Sequence, residues 1–232
     1  RHMKAFERKI FTGERALFGA RDLSLTDCIF EDGESPLKES AGLTLRGCSF
    51  RWKYPLWYGH DISLRDCVLT DAARAGIWYT ENISLTDTVI EAPKTFRRAK
   101  GINLTNVTMT NAAETLWACR DITLQNVSAK GDYLLMNAED VTAAHLPLNG
   151  NYAFDGAKNV ILRSSKLFTK DAFWNSEDVT VYDSYITGEY LGWNAKHLTL
   201  VNCTVESLQG FCYIDHLTLQ NCKLINTTLA FE

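Results

Sequence analysis

Five of the six tryptophans, Trp57, Trp78, Trp117, Trp174 and Trp193, share one row with Arg97, Met136 and Asp155, because consecutive members lie 19 to 21 residues apart. A second aromatic line, Tyr54, Tyr133, Tyr152 and Tyr190, runs beside it. Aromatic planes strung along a groove, with arginine and carboxylates among them, are what stacking on and hydrogen bonding to a sugar chain requires. The candidate ligand-binding residues are therefore Trp57, Trp78, Arg97, Trp117, Trp174 and Trp193. Flanking positions carry Lys53, Arg74, Asp132, Lys170 and Glu189, with Lys94, Glu114 and Asp171 between them. On adjacent turns, Glu114 with Asp132 and Asp171 with Glu189 would approach the roughly 5 to 9.5 Å separations used in glycoside cleavage, which makes these four the candidate catalytic groups. A plainer role competes with each assignment. Large aromatics also cover the flank of a fold or a subunit interface, and carboxylates beside Lys94, Arg97, Arg98 and Lys170 also form surface ion pairs.

Metal and thiol chemistry are not indicated. The seven cysteines, Cys28, Cys48, Cys67, Cys119, Cys203, Cys212 and Cys222, are an odd number, contain no C-x-x-C pair and stand at no finger-like distance from the five histidines. A chain of 232 residues has no need of disulfide staples, so reduced thiols are expected. Asp178, His197 and His216 can be drawn as a metal column, but they hold a turn position where Asp, Asn, Gly and His interchange. No metal and no cofactor are expected. With a net charge of −4 there is no basic excess to neutralise a phosphate backbone, so the sequence argues against a nucleic-acid partner, and acidic polymers are poor partners overall. No apolar run approaches the roughly 20 residues that span a bilayer, and the start lacks the order of a signal peptide. The expectation is a cytoplasmic protein without a membrane partner.

The elements that must position these residues follow from an internal repeat. Asp22 to Phe30 returns as Gly42 to Phe50, Asp61 to Leu69, Asn82 to Ile90, Gly101 to Met109 and Asp121 to Ala129, with further copies from Asp140, Asn159, Asp178, His197 and His216. The second and fourth positions of each copy are apolar and the third is usually Ser or Thr, which is one half-buried strand. A turn residue follows, Asp27, Asp66, Asp87, Asn106, Asn126, Asp183, Asn202 or Asn221, of the types that tolerate a left-handed backbone and bond locally. Stacked, these form an Asn/Asp ladder. Two more inward positions make a second short strand. A third strand precedes each copy, its inward residue five before the next start: Leu17, Leu37, Leu56, Ile77, Phe96, Leu116, Leu135, Phe154, Phe173 and Phe211, with Gly192 the exception. The pattern predicts an all-β, right-handed parallel β-helix of about eleven coils of 19 to 21 residues, three short strands per coil. In it Cys28, Cys48 and Cys67 stack as a buried thiol column.

The stretches Thr12 to Phe18, Asp32 to Lys38, Arg51 to Trp57, Ala73 to Trp78, Glu91 to Lys94, Asn111 to Trp117, Lys170 to Asn175 and Gly188 to Asn194 resemble an uncharacterised bacterial family. Its members are right-handed β-helix proteins, pectate-lyase-like in architecture, grouped as a domain of unknown function. The resemblance spans nearly the whole chain, and implies a fold without catalytic residues to carry over. The Asn-Thr-Asp, Asp-Asp and Gly-His-Gly motifs of polygalacturonases and the calcium-binding Asp cluster of pectate lyases have no counterpart here. The family pattern continues past Phe231-Glu232, so a shortened C-terminus is expected over an edge covered by another chain.

The expected organisation is a tag remnant at 1–3, an N-terminal cap and first partial coil at 4–21 and the parallel β-helix at 22–232. The functional expectation is a non-catalytic binding or scaffold solenoid with a carbohydrate along the Trp/Tyr-lined groove, self-association being left open. A polysaccharide lyase or glycoside hydrolase working in the same groove is the alternative.

Overall fold

The computed structural model describes residues 3–227 and 229–230; the tag-remnant reading of Arg1 and His2 and the expected continuation past Phe231-Glu232 lie outside the described residues. The chain is a right-handed parallel β-helix of about twelve turns, and the described residues form no helix. The turn beyond the eleven repeat copies comes from the N-terminal segment. Strand Lys4–Glu7 pairs with Arg21–Thr26 in the register of the repeat, Phe6 opposite Leu25, and Ile10–Phe11 pairs with Ile29–Phe30.

Alternation sets the strands. In Ala41–Arg46 and each equivalent strand the apolar residues turn inward and the Ser, Thr and charged ones outward, so Leu25, Leu45, Leu64, Leu85, Leu104 and Leu124 stack as one buried row in register across successive turns. A second inward row contains Phe30 and Phe50, whose rings stack at 4.8 Å. From Glu81 to Lys130 the first two strands of each coil run on as single strands, Glu81–Ile90, Lys100–Met109 and Arg120–Lys130. The third side is different. Its inward residues, from Leu37 and Leu56 to Phe173 and Phe211, are buried as expected, but regular strand is absent over most of it. Glu114, Leu116 and Ala118 all have positive φ, as do Tyr133, Leu135 and Asn137. Alternate left-handed residues break strand geometry while still allowing bonds between turns, such as Leu116 N–H to the Thr95 carbonyl at 2.9 Å.

The turn column forms the ladder. Asn106 donates to Asp87 at 3.1 Å, Asn126 to Asn106 at 2.7 Å, Asn202 to Asp183 at 3.2 Å and Asn221 to Asn202 at 2.6 Å. An amide both donates and accepts, so Asn can continue a run that an acceptor-only Asp begins. At Gly47, φ +67°, a Cβ would lie 2.2 Å from Asp27 Oδ1, so a larger residue on this rung must displace that carboxylate.

The next column inward explains why Cys, Ser and Thr recur there. Each residue follows a left-handed turn, and where the next turn carries Ser or Thr the N–H is met by its hydroxyl, as with Leu146 N–H to Ser165 at 3.0 Å and Ser165 N–H to Ser184 at 3.0 Å. The thiols of Cys48 and Cys203 donate to the Leu25 and Val181 carbonyls. All seven cysteines are free. Burial pushes the Cys28 and Cys203 thiols up, and that of Cys119 to about 12, which keeps these three protonated.

Candidate functional site

The Trp row lies on the outer surface of the third side, where each member is placed by the buried residue before it: Leu56 before Trp57, Ile77 before Trp78, Phe96 before Arg97 and Leu116 before Trp117. Coil stacking brings the first four together. Trp57 and Trp78 are parallel, 5.0 Å apart and 8° between planes. The Arg97 guanidinium lies 4.3 Å from the Trp78 ring centre and 4.8 Å from that of Trp117, between the two indoles. The rings stack on one another rather than facing solvent. Their indole N–H groups are also engaged, Trp57 with the Ala75 carbonyl at 2.6 Å, Trp78 with that of Lys94 at 2.8 Å and Trp117 with that of Tyr133 at 2.6 Å. A sugar lying along this part of the row would meet ring edges, which is the flank-covering role that competes with ligand binding.

Met136 and Asp155 interrupt the row before Trp174 and Trp193, whose rings are tilted by 46° at 5.1 Å. After Trp193 the stacking stops. Thr187 pairs with Glu206, Leu191 with Phe211 and Lys196 with Asp215, separations of 19, 20 and 19, so this side of the turn is displaced by one residue. Phe211 therefore pairs with Leu191 and not with Gly192, the partner expected from the repeat count. The displacement leaves a cleft of about 470 Å³ lined by Asp171, Trp174, Tyr190, Trp193, Gln209, Cys212 and Tyr213 among others. Tyr190, Trp193 and Tyr213 are 44%, 39% and 53% exposed, so aromatic surface is open here. Sequence reasoning missed Gln209, Cys212 and Tyr213; the signal was the additional residue between Glu206 and Phe211.

The four candidate catalytic carboxylates stand as two pairs on adjacent turns, the Glu114 N–H bonding the Asp132 carbonyl at 3.0 Å and the Asp171 N–H that of Glu189 at 2.7 Å, but their side chains take different partners. Glu114 pairs with Lys94 at 3.9 Å, and Asp132 accepts the Asn151 N–H at 2.8 Å. Glu189 pairs with Lys170 at 4.0 Å and lines a separate hollow with Glu206 and Asn226. Asp171 alone lines the aromatic cleft. Burial, and then the charge of Glu189, holds its carboxyl above the usual carboxylate range, against a smaller opposing pull from Lys170. Burial and the Asp171 charge in turn raise the Cys212 thiol. Lys94 and Lys170 thus take the ion-pairing role the sequence suggested, whereas Arg97 and Arg98 have no ion-pair partner among the described residues. His197 and His216 stack at 4.9 Å, and His216 pairs with Asp215 at 2.6 Å.

Comparison with known proteins gives the fold its context. A family model described as "Protein of unknown function (DUF3737)" matches residues 4–232. No curated protein matches the chain. Among solved structures it is similar to PfbA, a surface adhesin of Streptococcus pneumoniae, at 8% identity and a TM-score of 0.58, over 97% of this chain and 83% of that one. It is also similar to the A-module of the mannuronan C-5 epimerase AlgE4 of Azotobacter vinelandii, at 8% identity and a TM-score of 0.50, over 99% of this chain and 87% of that one. Likeness at such identity carries the fold alone.

Proposed function

This chain belongs to the DUF3737 family of proteins of unknown function, and we propose that it is a non-catalytic binding solenoid that takes a saccharide in the cleft beyond Trp193. The observation that carries the reading is the opening of the aromatic row. Elsewhere the indoles close on one another, but Trp193, Tyr190 and Tyr213 leave ring surface accessible beside Asp171 and Gln209, which supply hydrogen-bonding groups. An apolar wall with a few convergent polar groups suits a sugar ring, which has an apolar face and a polar rim. That one structural neighbour is an adhesin and another is by name a mannuronan epimerase agrees with such a role.

Screening the chain on a glycan array, followed by titration of any hit, tests the reading. Wild type is expected to bind, Trp193→Ala to weaken binding about five- to thirty-fold by removing one aromatic contact of roughly 1 to 2 kcal/mol, and Trp57→Ala in the closed stack to leave it unchanged. Absence of binding to every saccharide would discard the proposal.

Asp171 supports one second reading, a carbohydrate-active enzyme, because a raised carboxyl pKa suits a general acid. The partner carboxylate such hydrolysis requires is not in the cleft, since Glu189 is held by Lys170 in the neighbouring hollow. Release of reducing ends or unsaturated products, lost in Asp171→Asn, would favour the enzyme over the binder.

A further inference from the structure

Stacking satisfies the two faces of the Arg97 guanidinium but none of its in-plane N–H groups. The plate is held between Trp78 and Trp117 at 4.3 and 4.8 Å. Its Nε is buried without a hydrogen-bond partner, and among the described residues no carboxylate pairs with it. Cation–π attraction acts through the ring faces, whereas a guanidinium binds oxyanions through its in-plane fork. Arg97 and Arg98 line a hollow of about 330 Å³ with Asn137 and no acidic residue. The adjoining hollow adds Lys100 and Arg120 against Glu81 and Glu139, so the four cations in this region outnumber its two carboxylates. A local basic excess thus stands on a chain whose net charge is −4, which is why bulk charge argued against acidic partners.

We propose that this hollow is a receptor for one oxyanion group, a carboxylate or a sulfate ester, carried by an acidic saccharide. The indoles fix the guanidinium plane, Arg97 presents its terminal Nη donors while Nε stays buried, Arg98 adds a second charge from the adjacent left-handed corner, and Asn137 offers a neutral donor. This rests on the reading that the cleft beyond Trp193 takes a saccharide, and specifies which chemical class it prefers. Arg97 stands five turns from Trp193 along the row, so at about 4.8 Å per turn an extended oligosaccharide must span roughly 24 Å to occupy both places.

The test is calorimetric titration of the full chain with three probes of equal length: an oligouronate, the same oligosaccharide with its carboxyls reduced to alcohols, and a neutral oligosaccharide bearing sulfate esters. The oligouronate or the sulfated probe is expected to bind at least ten-fold more tightly than the reduced one, and which of them does so identifies the oxyanion. Arg97→Met is expected to bring the acidic probe down to the level of the reduced one. Arg98→Gln, an exposed change that leaves the stack intact, should weaken it several-fold and lessen its salt dependence. If acidic and reduced probes bind equally, or Arg98→Gln and Arg97→Met leave the preference intact, the oxyanion site is refuted while saccharide binding stands. If no probe binds, both fall.

Discussion

Replacing Leu104 by alanine tests the physical core of the fold. Leu104 is fully buried and lies between Leu85 and Leu124 in the rows of the preceding and following turns. Its loss removes both contacts at once and leaves a cavity that neighbouring turns, fixed by their own ladders, cannot close. A cost of about 3 to 4 kcal/mol follows from comparable buried leucines. The same change at Leu219 is the control: this residue is half-buried, pairs with Leu200 on one side, and should cost about 1 kcal/mol. With a urea dependence of roughly 3 kcal/mol per molar for a chain this size, the unfolding midpoint should fall by about 1 M for Leu104→Ala and by about 0.3 M for Leu219→Ala. Far-ultraviolet circular dichroism against urea measures both. Equal shifts would refute the claim that stability resides in stacking between turns and not within them.

Two further outcomes are expected. Asn106 both donates to Asp87 and accepts from Asn126 at a φ of 53°, so Asn106→Ala should cost about 2 kcal/mol, one part lost bonding and one part left-handed strain, and Asn106→Gly about half of that; equal losses in urea melts would mean that strain contributes nothing. Because the folded Asp171 carboxyl holds its proton to higher pH than the unfolded one, the folded chain binds more protons between the ordinary aspartate range and the raised value, and stability falls as pH rises through that window. Asp171→Asn should flatten this part of the profile of urea midpoint against pH, and an unchanged slope in the variant would contradict the assignment.

The fold was legible because each inward position repeats eleven times, so single irregularities such as Ala143 in place of Leu are outvoted by their column. The Asn ladder and the thiol column were legible for the same reason. The third side was legible in its buried residues but not in its backbone, since positive φ at Glu114, Leu116 and Ala118 belongs to residue types that seldom adopt it and is imposed by the bonds between turns. At the candidate site, spacing assembled Trp57, Trp78, Arg97 and Trp117 correctly on one row. It could not show which way the rings face, because that depends on carbonyls 16 to 18 residues away that accept the indole N–H groups. The cleft was hidden for the opposite reason: counting from His197 to His216 gives the ordinary step, and the one-residue displacement between them cancels before the next strand begins.

The one-neighbour pairing of the turns also sets how the molecule would yield to force. Among the described residues each interior strand is bonded to the equivalent strand of the turn before and the turn after, and no element clamps distant turns together. Pulled apart from its two extremities, such a spool loses its terminal winding while the remainder keeps every contact it had, so it lengthens in steps. Each step frees one winding of about twenty residues, roughly 65 to 70 Å of extended chain, and the tether grows without the whole body giving way at once.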